Sequence, residues 1–151
     1  MKEQYEILQK KLQLPSFERM DSEFNISKIE PKGNILIEIT AEIKDRIENA
    51  AGLVQEMVHP NGDTAAALFE SSFFTQEDKK ELLVLERDLM ILCKEYLLAE
   101  YTNDEKNTAA LLNKTLQKWP EIRKKLLPYI EKLKHGWANT KETKEILEYL
   151  G

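Results

Sequence analysis

Residues 34–58 read NILIEITAEIKDRIENAAGLVQEMV, and this stretch decides the fold class. Its apolar residues recur in steps of three or four, which is the spacing of a helix face that packs against a core. Although Ile35, Leu36 and Ile37 favour a strand locally, the period is sustained over a helix of about 37 Å. The stretch therefore predicts a long helix with one buried face, formed by Leu36, Ile39, Ile43, Ile47, Ala50, Val54 and Met57.

A second long helix is predicted over residues 76–101. Thr75 and Asp78 form a variant of the capping box, with Asp in place of Glu or Gln, and they place the start of this helix. Leu83, Met90 and Leu97 widen its apolar stripe, so we expect a central helix that packs against two neighbours. The inner face is predicted to contain Leu82, Leu85, Leu89, Leu92, Tyr96 and Ala99.

The rest of the chain is predicted to form shorter helices that end at Pro or Gly. Trp119-Pro120 is expected to separate two of these helices, because the residue before proline avoids the helical region. Pro128 should kink or shorten the later one, and Gly136 should cap its C-terminus. The shorter helices are predicted at residues 2–13, 16–24, 64–72, 104–118 and 120–135, with a last one from Asn139 to Leu150.

These patterns predict an all-α protein: a single-domain helical bundle over residues 1–151, with two long amphipathic helices and several shorter ones. A length of 151 residues suits one domain, and only five glycines and five prolines are too few for the turns of an all-β fold. Cys93 is the only cysteine, which excludes an intramolecular disulfide and a multi-cysteine metal site. Because no signal peptide or membrane-spanning apolar run is visible, we expect a cytoplasmic protein that does not contact a membrane.

Charge is strongly segregated along the chain. Residues 1–105 hold 12 Lys/Arg and 22 Asp/Glu, whereas residues 106–140 hold 8 and 2. Trp119, Tyr129 and Trp137 are interleaved with these basic residues, and such a mixture can hold phosphates and stack on bases. The segment 106–137 therefore predicts contact with an acidic protein or a nucleic acid, through Lys118, Trp119, Arg123, Lys124, Lys125 and Lys132.

Other interpretations of the basic segment remain open. The lysines could be ordinary outer-face residues, or they could pair with the acidic part of the same chain. An acidic partner could also be a second copy of this chain, and the broad apolar stripe of residues 76–101 could build a homo-oligomer. Because the whole chain has a net charge of −5, nonspecific binding to nucleic acid is not the default expectation.

The acidic edges of the two long helices suggest an alternative function. Glu38 and Glu42, with Glu86 from the second helix, could hold a divalent metal if the two edges converge. In general layout the chain then resembles all-helical nucleotide pyrophosphohydrolases of the MazG type, which implies a metal-dependent enzyme acting on nucleotides. The Glu-Glu-x-x-Glu and Glu-x-x-Asp patterns of that family are not present in the expected places.

No specific catalytic motif supports an enzyme. The five glycines are too scattered to form a phosphate-binding loop, and the two histidines, His59 and His135, are 76 positions apart. Both histidines fall at predicted helix ends, where a cationic group favours the helix dipole. The sequence therefore favours a non-enzymatic interaction or regulatory protein and predicts no cofactor.

Two segments carry a further resemblance. The run from Leu14 to Phe24, LPSFERMDSEF, and the later run from Phe74 to Lys80, FTQEDKK, are similar to segments of small all-helical archaeal proteins. This resemblance implies a helical cytosolic protein. It carries no known activity, so it implies no functional residue.

Overall fold

The computed structural model describes residues 1–60, 62 and 64–140, and within them it is all-α with no strand. The fold class expected from the sequence is confirmed. The last predicted helix, from Asn139 to Leu150, lies mostly outside the described residues. The helices are α1 (Lys2–Leu12), α2 (Phe17–Phe24), a short 3-10 helix (Ile26–Lys28), α3 (Ile35–Val58), α4 (Ala65–Ser71), α5 (Gln76–Thr102) and α6 (Glu105–Ala138).

The chain folds into two compact units. The first unit contains residues 1–48 and 90–121, so it holds α1, α2 and parts of the three long helices. The second unit contains residues 49–89 and 122–151 and holds α4 with the remaining parts of those helices. No described helix is both long and apolar enough to cross a membrane.

Side-chain caps begin most of the helices where the sequence predicts them. Ser16 accepts a hydrogen bond from the backbone N–H of Arg19 at the start of α2, and Thr64 caps α4 in the same way. At the start of α5, the Asp78 carboxylate accepts from the Thr75 backbone N–H while the Thr75 hydroxyl accepts from that of Asp78. Both bonds of the predicted capping box are therefore present, and each satisfies a donor that the first helical turn leaves free.

The predicted inner faces of α3 and α5 are confirmed, because every residue of both rows is buried. In the first unit, α5 is joined to α6 by a buried hydrogen bond of 2.7 Å between the hydroxyls of Tyr96 and Thr115. Thr115 also donates to the carbonyl of Leu111 at 2.8 Å, so the Tyr96 hydroxyl is the donor to Thr115. Lys44 of α3 binds Glu100 of α5 at 2.8 Å on the exposed edge of the same unit.

The predicted break at Trp119-Pro120 is wrong. One helix, α6, runs from Glu105 to Ala138 and includes Pro120, Pro128 and Gly136, so neither proline ends it and the glycine is not its cap. Each proline removes one backbone donor to the carbonyl four residues earlier, yet the buried residues on both sides of Pro120 continue the same helical face: Leu112, Leu116, Ile122 and Leu126. The fold therefore has three long helices where two were expected.

The residues expected to widen the apolar stripe of α5 remain partly in solvent. Leu83, Met90 and Leu97 are 45%, 38% and 39% exposed. They lie on the side of α5 opposite its buried row. The helix periodicity placed these residues correctly beside one another, but it could not show how much of each side chain stays exposed.

Candidate interaction surface

Two lysines of the basic segment are engaged by α5. In the first unit, Lys114 lies 2.5 Å from the Glu95 carboxylate. In the second unit, Lys132 lies 2.5 Å from the Asp78 carboxylate, and its ammonium is also 5.9 Å from the centre of the Tyr129 ring. Intramolecular pairing, which the sequence left open, thus accounts for part of the basic charge, and it includes Lys132 from the predicted partner-binding set.

Three other lysines of that set remain available. Lys118, Lys124 and Lys125 are exposed on α6, and none of them forms an ion pair with a described residue. Lys118 belongs to the first unit, whereas Lys124 and Lys125 belong to the second, together with the exposed Arg123. The predicted basic residues therefore divide into those that hold the fold together and those that face solvent.

The aromatic residues of the basic segment all take part in the fold. Trp119 packs against Phe24, with ring centres 5.7 Å apart. The Trp137 indole N–H donates to Glu70 at 2.7 Å, and its ring packs against Phe69. Tyr129 is buried and donates to Glu81. Because these rings are already in contact with other side chains, they do not form the free stacking platform that single-stranded nucleic acids require.

A groove with a volume of about 600 Å³ lies between α5 and α6 in the second unit. Lys125 and Lys132, both predicted partner-binding residues, lie along its α6 side with Pro128. We call it the α5–α6 groove, and its lining is Asp78, Glu81, Val84, Leu85, Asp88, Lys125, Pro128, Tyr129 and Lys132. It combines an exposed apolar residue, Val84, with charged side chains on both walls.

Every carboxylate of this groove has a donor within the chain. Asp78 accepts from Lys132, Glu81 accepts from the Tyr129 hydroxyl, and Asp88 lies 3.1 Å from the Arg87 guanidinium. Lys125 is the remaining charged residue, and it has no such partner among the described residues. Lys125 is therefore the one charged side chain of the lining with no hydrogen bond or ion pair to a described residue, whereas Glu81 keeps its negative charge because its partner, Tyr129, is neutral.

The groove shifts the pKa values of two of its lining residues, Asp78 and Tyr129. The Lys132 ammonium, followed by hydrogen bonds from Thr75, lowers the pKa of Asp78, against the opposing effect of burial. Burial, together with the Glu81 carboxylate that accepts a hydrogen bond from its hydroxyl, raises the pKa of Tyr129 well above the usual range. Both shifts keep Asp78 ionised and Tyr129 protonated at neutral pH, so neither of these two groups is suited to proton transfer there.

The carboxylates of the metal-enzyme hypothesis do not form a metal site. Glu38 accepts from the Lys32 backbone N–H at 3.0 Å, Glu42 lies 3.6 Å from Arg46, and Glu86 lies 3.4 Å from the His59 ring. Each of them therefore has a structural neighbour of its own. In the described part of the chain, no three His, Cys, Asp or Glu side chains are grouped closely enough to hold a metal ion.

A second groove, of about 500 Å³, lies in the first unit between α3, α5 and the start of α6. Three of its four carboxylates are engaged: Glu100 binds Lys44, Glu105 binds Lys11, and Asp104 caps α6 through the backbone N–H groups of Lys106 and Asn107. The fourth, Asp45, has no hydrogen bond or ion pair to a described residue.

Cys93 has no feature of a reactive thiol. It is only partly exposed, and burial raises the pKa of its thiol, with the nearby Glu48 carboxylate adding to the shift. A thiol with a raised pKa holds little of the thiolate that reacts.

The sequence analysis identified only part of one surface. Seven large apolar side chains of α5 are exposed: Leu83, Val84, Met90, Ile91, Leu97, Leu98 and Tyr101. We call this set the outer face of α5. The sequence indicates this face through two apolar series with a period of seven. On a helix both series lie on the side opposite the core-facing row, and this separation could have identified the face.

The chain matches no known family model, no curated protein and no solved structure. The resemblance to small archaeal helical proteins therefore stays a prediction. Function has to be inferred from the side chains and surfaces described above.

Proposed function

We propose that this chain is a non-enzymatic interaction protein that binds an acidic segment of a partner protein in the α5–α6 groove. The observation that carries the proposal is Lys125. It is the one charged side chain lining the groove with no ion pair or hydrogen bond to a described residue, and it lies beside exposed Val84 and Pro128. A carboxylate of the partner would form an ion pair with Lys125, and contact with Val84 and Pro128 would remove apolar surface from water.

Lys124 adjoins Lys125 in sequence and is exposed on the same unit. It is suited to the rim of such an interface, where exposed charges speed association more than they strengthen it. Arg123 lies on the opposite side of α6 from the groove lining and is not required. Lys132 has a different role in this proposal, because its ion pair with Asp78 shapes the wall of the groove. Lys118 and Trp119 belong to the other unit and are not required.

A protein partner is favoured over a nucleic acid for two reasons. Trp119, Tyr129 and Trp137, the aromatic residues of the basic segment, are packed against other side chains, so this segment does not offer a free ring for base stacking. The groove also contains three carboxylates, which would repel a phosphate backbone more than they would repel a single acidic side chain. A cytoplasmic location is also part of the proposal.

The test compares capture of proteins from a nuclease-treated extract of the source cells by three purified forms of the chain. These are the wild type, Lys125→Glu and the control Lys10→Glu, which reverses an exposed charge on α1 in the other unit. We expect the wild type and the control to capture the same protein in equal amounts. Lys125→Glu should capture about tenfold less of it, which corresponds to about 1.4 kcal/mol of binding free energy. The capture should weaken at high salt, because exposed charges are screened.

Equal capture by all three forms would overturn the proposal. Capture from an untreated extract that is absent from the nuclease-treated one would also overturn it and would point to nucleic acid. Thermal unfolding of each form separates loss of binding from loss of folding, since Lys125 has no ion pair to lose.

A further inference from the structure

The second groove, which lies within the first unit, has the size and the mixed lining of a small-molecule site. We call it the α3–α5 groove. Its volume of about 500 Å³ falls within the range of about 300–1,000 Å³ that is typical of ligand pockets. Its apolar lining includes Leu36, Ile37, Ala41 and Ala99. Ile37 is 60% exposed, so part of this apolar surface is open to a ligand.

The groove is elongated along α3. One face of this helix lines it, through Ile37, Thr40, Ala41, Lys44 and Asp45. These positions are three or four residues apart or adjacent, which places them on the same side of a helix. From Ile37 to Asp45 the face extends for about 12 Å, at about 1.5 Å per residue. A linear ligand therefore matches the groove better than a compact one.

The charged groups of the groove attract a cation. Its lining contains one ammonium and four carboxylates, which belong to Lys44, Asp45, Glu100, Asp104 and Glu105. The Lys44 ammonium is already committed, because it binds Glu100 at 2.8 Å and lies 4.0 Å from Glu48. The hydrogen bond to Glu100 raises the pKa of Lys44, and the charges of Glu48 and Asp45 add to this shift against the opposing effect of burial. The surroundings of this ammonium are therefore negative.

Two of the four carboxylates have room for a further donor. Asp45 has no hydrogen bond or ion pair to a described residue. Asp104 accepts two backbone N–H groups of α6 with its Oδ1 atom, but its Oδ2 atom accepts no hydrogen bond from a described residue. Glu105, in contrast, is paired with Lys11 at 2.8 Å. The available acceptors therefore lie on two walls of the groove, Asp45 on α3 and Asp104 at the start of α6.

We propose that the α3–α5 groove binds a linear aliphatic diamine or a longer polyamine. One ammonium group pairs with Asp45 and another with Asp104, while the methylene chain lies against Ile37 and Ala41. Alkylammonium groups are protonated at neutral pH, as the ammonium of lysine is. Such a ligand therefore carries separated positive charges on an apolar chain, and it matches both the carboxylates and the apolar lining of the groove.

A metal ion does not fit these carboxylates. Among the residues that the structure describes, no three His, Cys, Asp or Glu side chains are grouped closely enough to hold one. Carboxylates that are spread along a groove are instead bridged by a ligand whose own charges are separated. An anion is disfavoured, because carboxylates outnumber ammonium groups in the lining.

The test is equilibrium dialysis of the full chain against radiolabelled putrescine at physiological salt. The wild type should bind putrescine saturably, and Asp45→Asn should bind it about fivefold more weakly, which is the upper range for one exposed ion pair. Asp104→Asn should have a similar effect, because asparagine keeps the helix cap and removes the charge. Asp88→Asn is the control, since it removes an aspartate charge from the other unit and should bind as the wild type does.

Competition identifies the class of ligand. Unlabelled spermidine should displace putrescine, whereas butylamine, which has a single charge, and Mg²⁺, which has no methylene chain, should displace it much less well at equal concentration. Ile37→Ser should weaken putrescine binding without lowering the thermal midpoint, because Ile37 is exposed.

Absence of saturable binding by the wild type would overturn the proposal, and so would equal binding by Asp45→Asn. Displacement by Mg²⁺ as effective as displacement by spermidine would also overturn it, because charge alone would then hold the ligand. The inference does not depend on the proposed function. The α5–α6 groove belongs to the other unit, and Lys125→Glu should leave putrescine binding unchanged.

Discussion

The Asp78 carboxylate of α5 lies 2.5 Å from the Lys132 ammonium of α6 and also accepts a hydrogen bond of 2.9 Å from the Thr75 backbone N–H. One side chain thus caps the start of α5 and holds α6 beside it. Lys132 belongs to the basic segment that the sequence marked for partner binding, but this contact commits it to the fold. Lys125, seven residues earlier on the same helix, has no corresponding partner among the described residues.

This difference predicts opposite results for two charge reversals. Lys132→Glu should place a second carboxylate against Asp78 and lower the free energy of unfolding by about 1 kcal/mol, which corresponds to about 2–4 °C in the thermal midpoint. Lys125→Glu should leave the midpoint unchanged. Thermal unfolding followed by circular dichroism measures both, and equal effects of the two reversals would mean that the Lys132–Asp78 contact adds nothing to stability.

The pKa of Asp78 predicts a dependence of stability on pH. Because the pKa is lowered in the folded state, the ionised carboxylate stabilises the fold above the unfolded-state pKa of about 3.9. That contribution disappears as the pH falls through the folded-state pKa. The difference in unfolding free energy between the wild type and Asp78→Asn should therefore be largest near neutral pH and shrink below about pH 4.

Urea unfolding across that pH range measures the difference. Asp88→Asn is the control. Among the described residues Asp88 pairs with its exposed neighbour Arg87 alone, so this substitution should cost little stability at any pH. If the difference in unfolding free energy between the wild type and Asp78→Asn stayed constant down to acidic pH, the charge of Asp78 would not be the cause of its stabilising effect.

The buried hydroxyl pair of Tyr96 and Thr115 predicts an asymmetric double-mutant cycle. Tyr96→Phe should cost about 1 kcal/mol, since the Thr115 hydroxyl keeps its bond to Leu111. Thr115→Val should cost more, up to about 3 kcal/mol, because it leaves the Tyr96 hydroxyl buried without its partner. The double variant should lose less than the sum of the two, and strictly additive losses would argue against the bond.

Two helical glycines predict opposite effects of the same substitution. Gly52 of α3 has no neighbour within 4 Å of an added Cβ, so Gly52→Ala should stabilise the protein by about 0.5–1 kcal/mol. A Cβ at Gly136 of α6 would overlap the Phe73 ring, which is held against Phe69 and Trp137. Gly136→Ala should therefore destabilise by about 1–3 kcal/mol despite its better helix propensity.

Chemical denaturation of the two glycine variants gives the comparison. Adding Phe73→Leu to Gly136→Ala should recover part of the loss, because a smaller side chain leaves room for the methyl group. A stabilising Gly136→Ala would mean that the ring moves aside without cost.

The sequence was a good guide to what depends on a single helix. The buried rows of α3 and α5 follow from period, and the start of α5 follows from the Thr75–Asp78 capping box. It failed where the outcome depends on what packs nearby. Pro120 removes a hydrogen bond that an isolated helix would need, but burial of Leu116 and Ile122 on either side keeps α6 continuous.

The residues of the candidate surface were likewise predicted correctly as a set, but their individual roles depend on distant parts of the chain. Basic composition marked Lys125 and Lys132 together, because both are lysines in a basic segment. Their separation into a free charge and a paired one depends on Asp78, which is 54 positions from Lys132 in the chain. Likewise, the period of α5 identified Leu83, Met90 and Leu97 as one stripe, but only the positions of the neighbouring helices show that they are exposed.

The proposed interaction is tested most directly by photo-crosslinking in cells from two positions of α6. A photoreactive amino acid replaces Pro128, which lines the α5–α6 groove, or Glu131, which is exposed on α6 but does not line it. The account predicts a discrete protein adduct from position 128 that is absent from position 131 and is lost when Lys125→Glu is added. Equal labelling from both positions, or an adduct that survives Lys125→Glu, would contradict it.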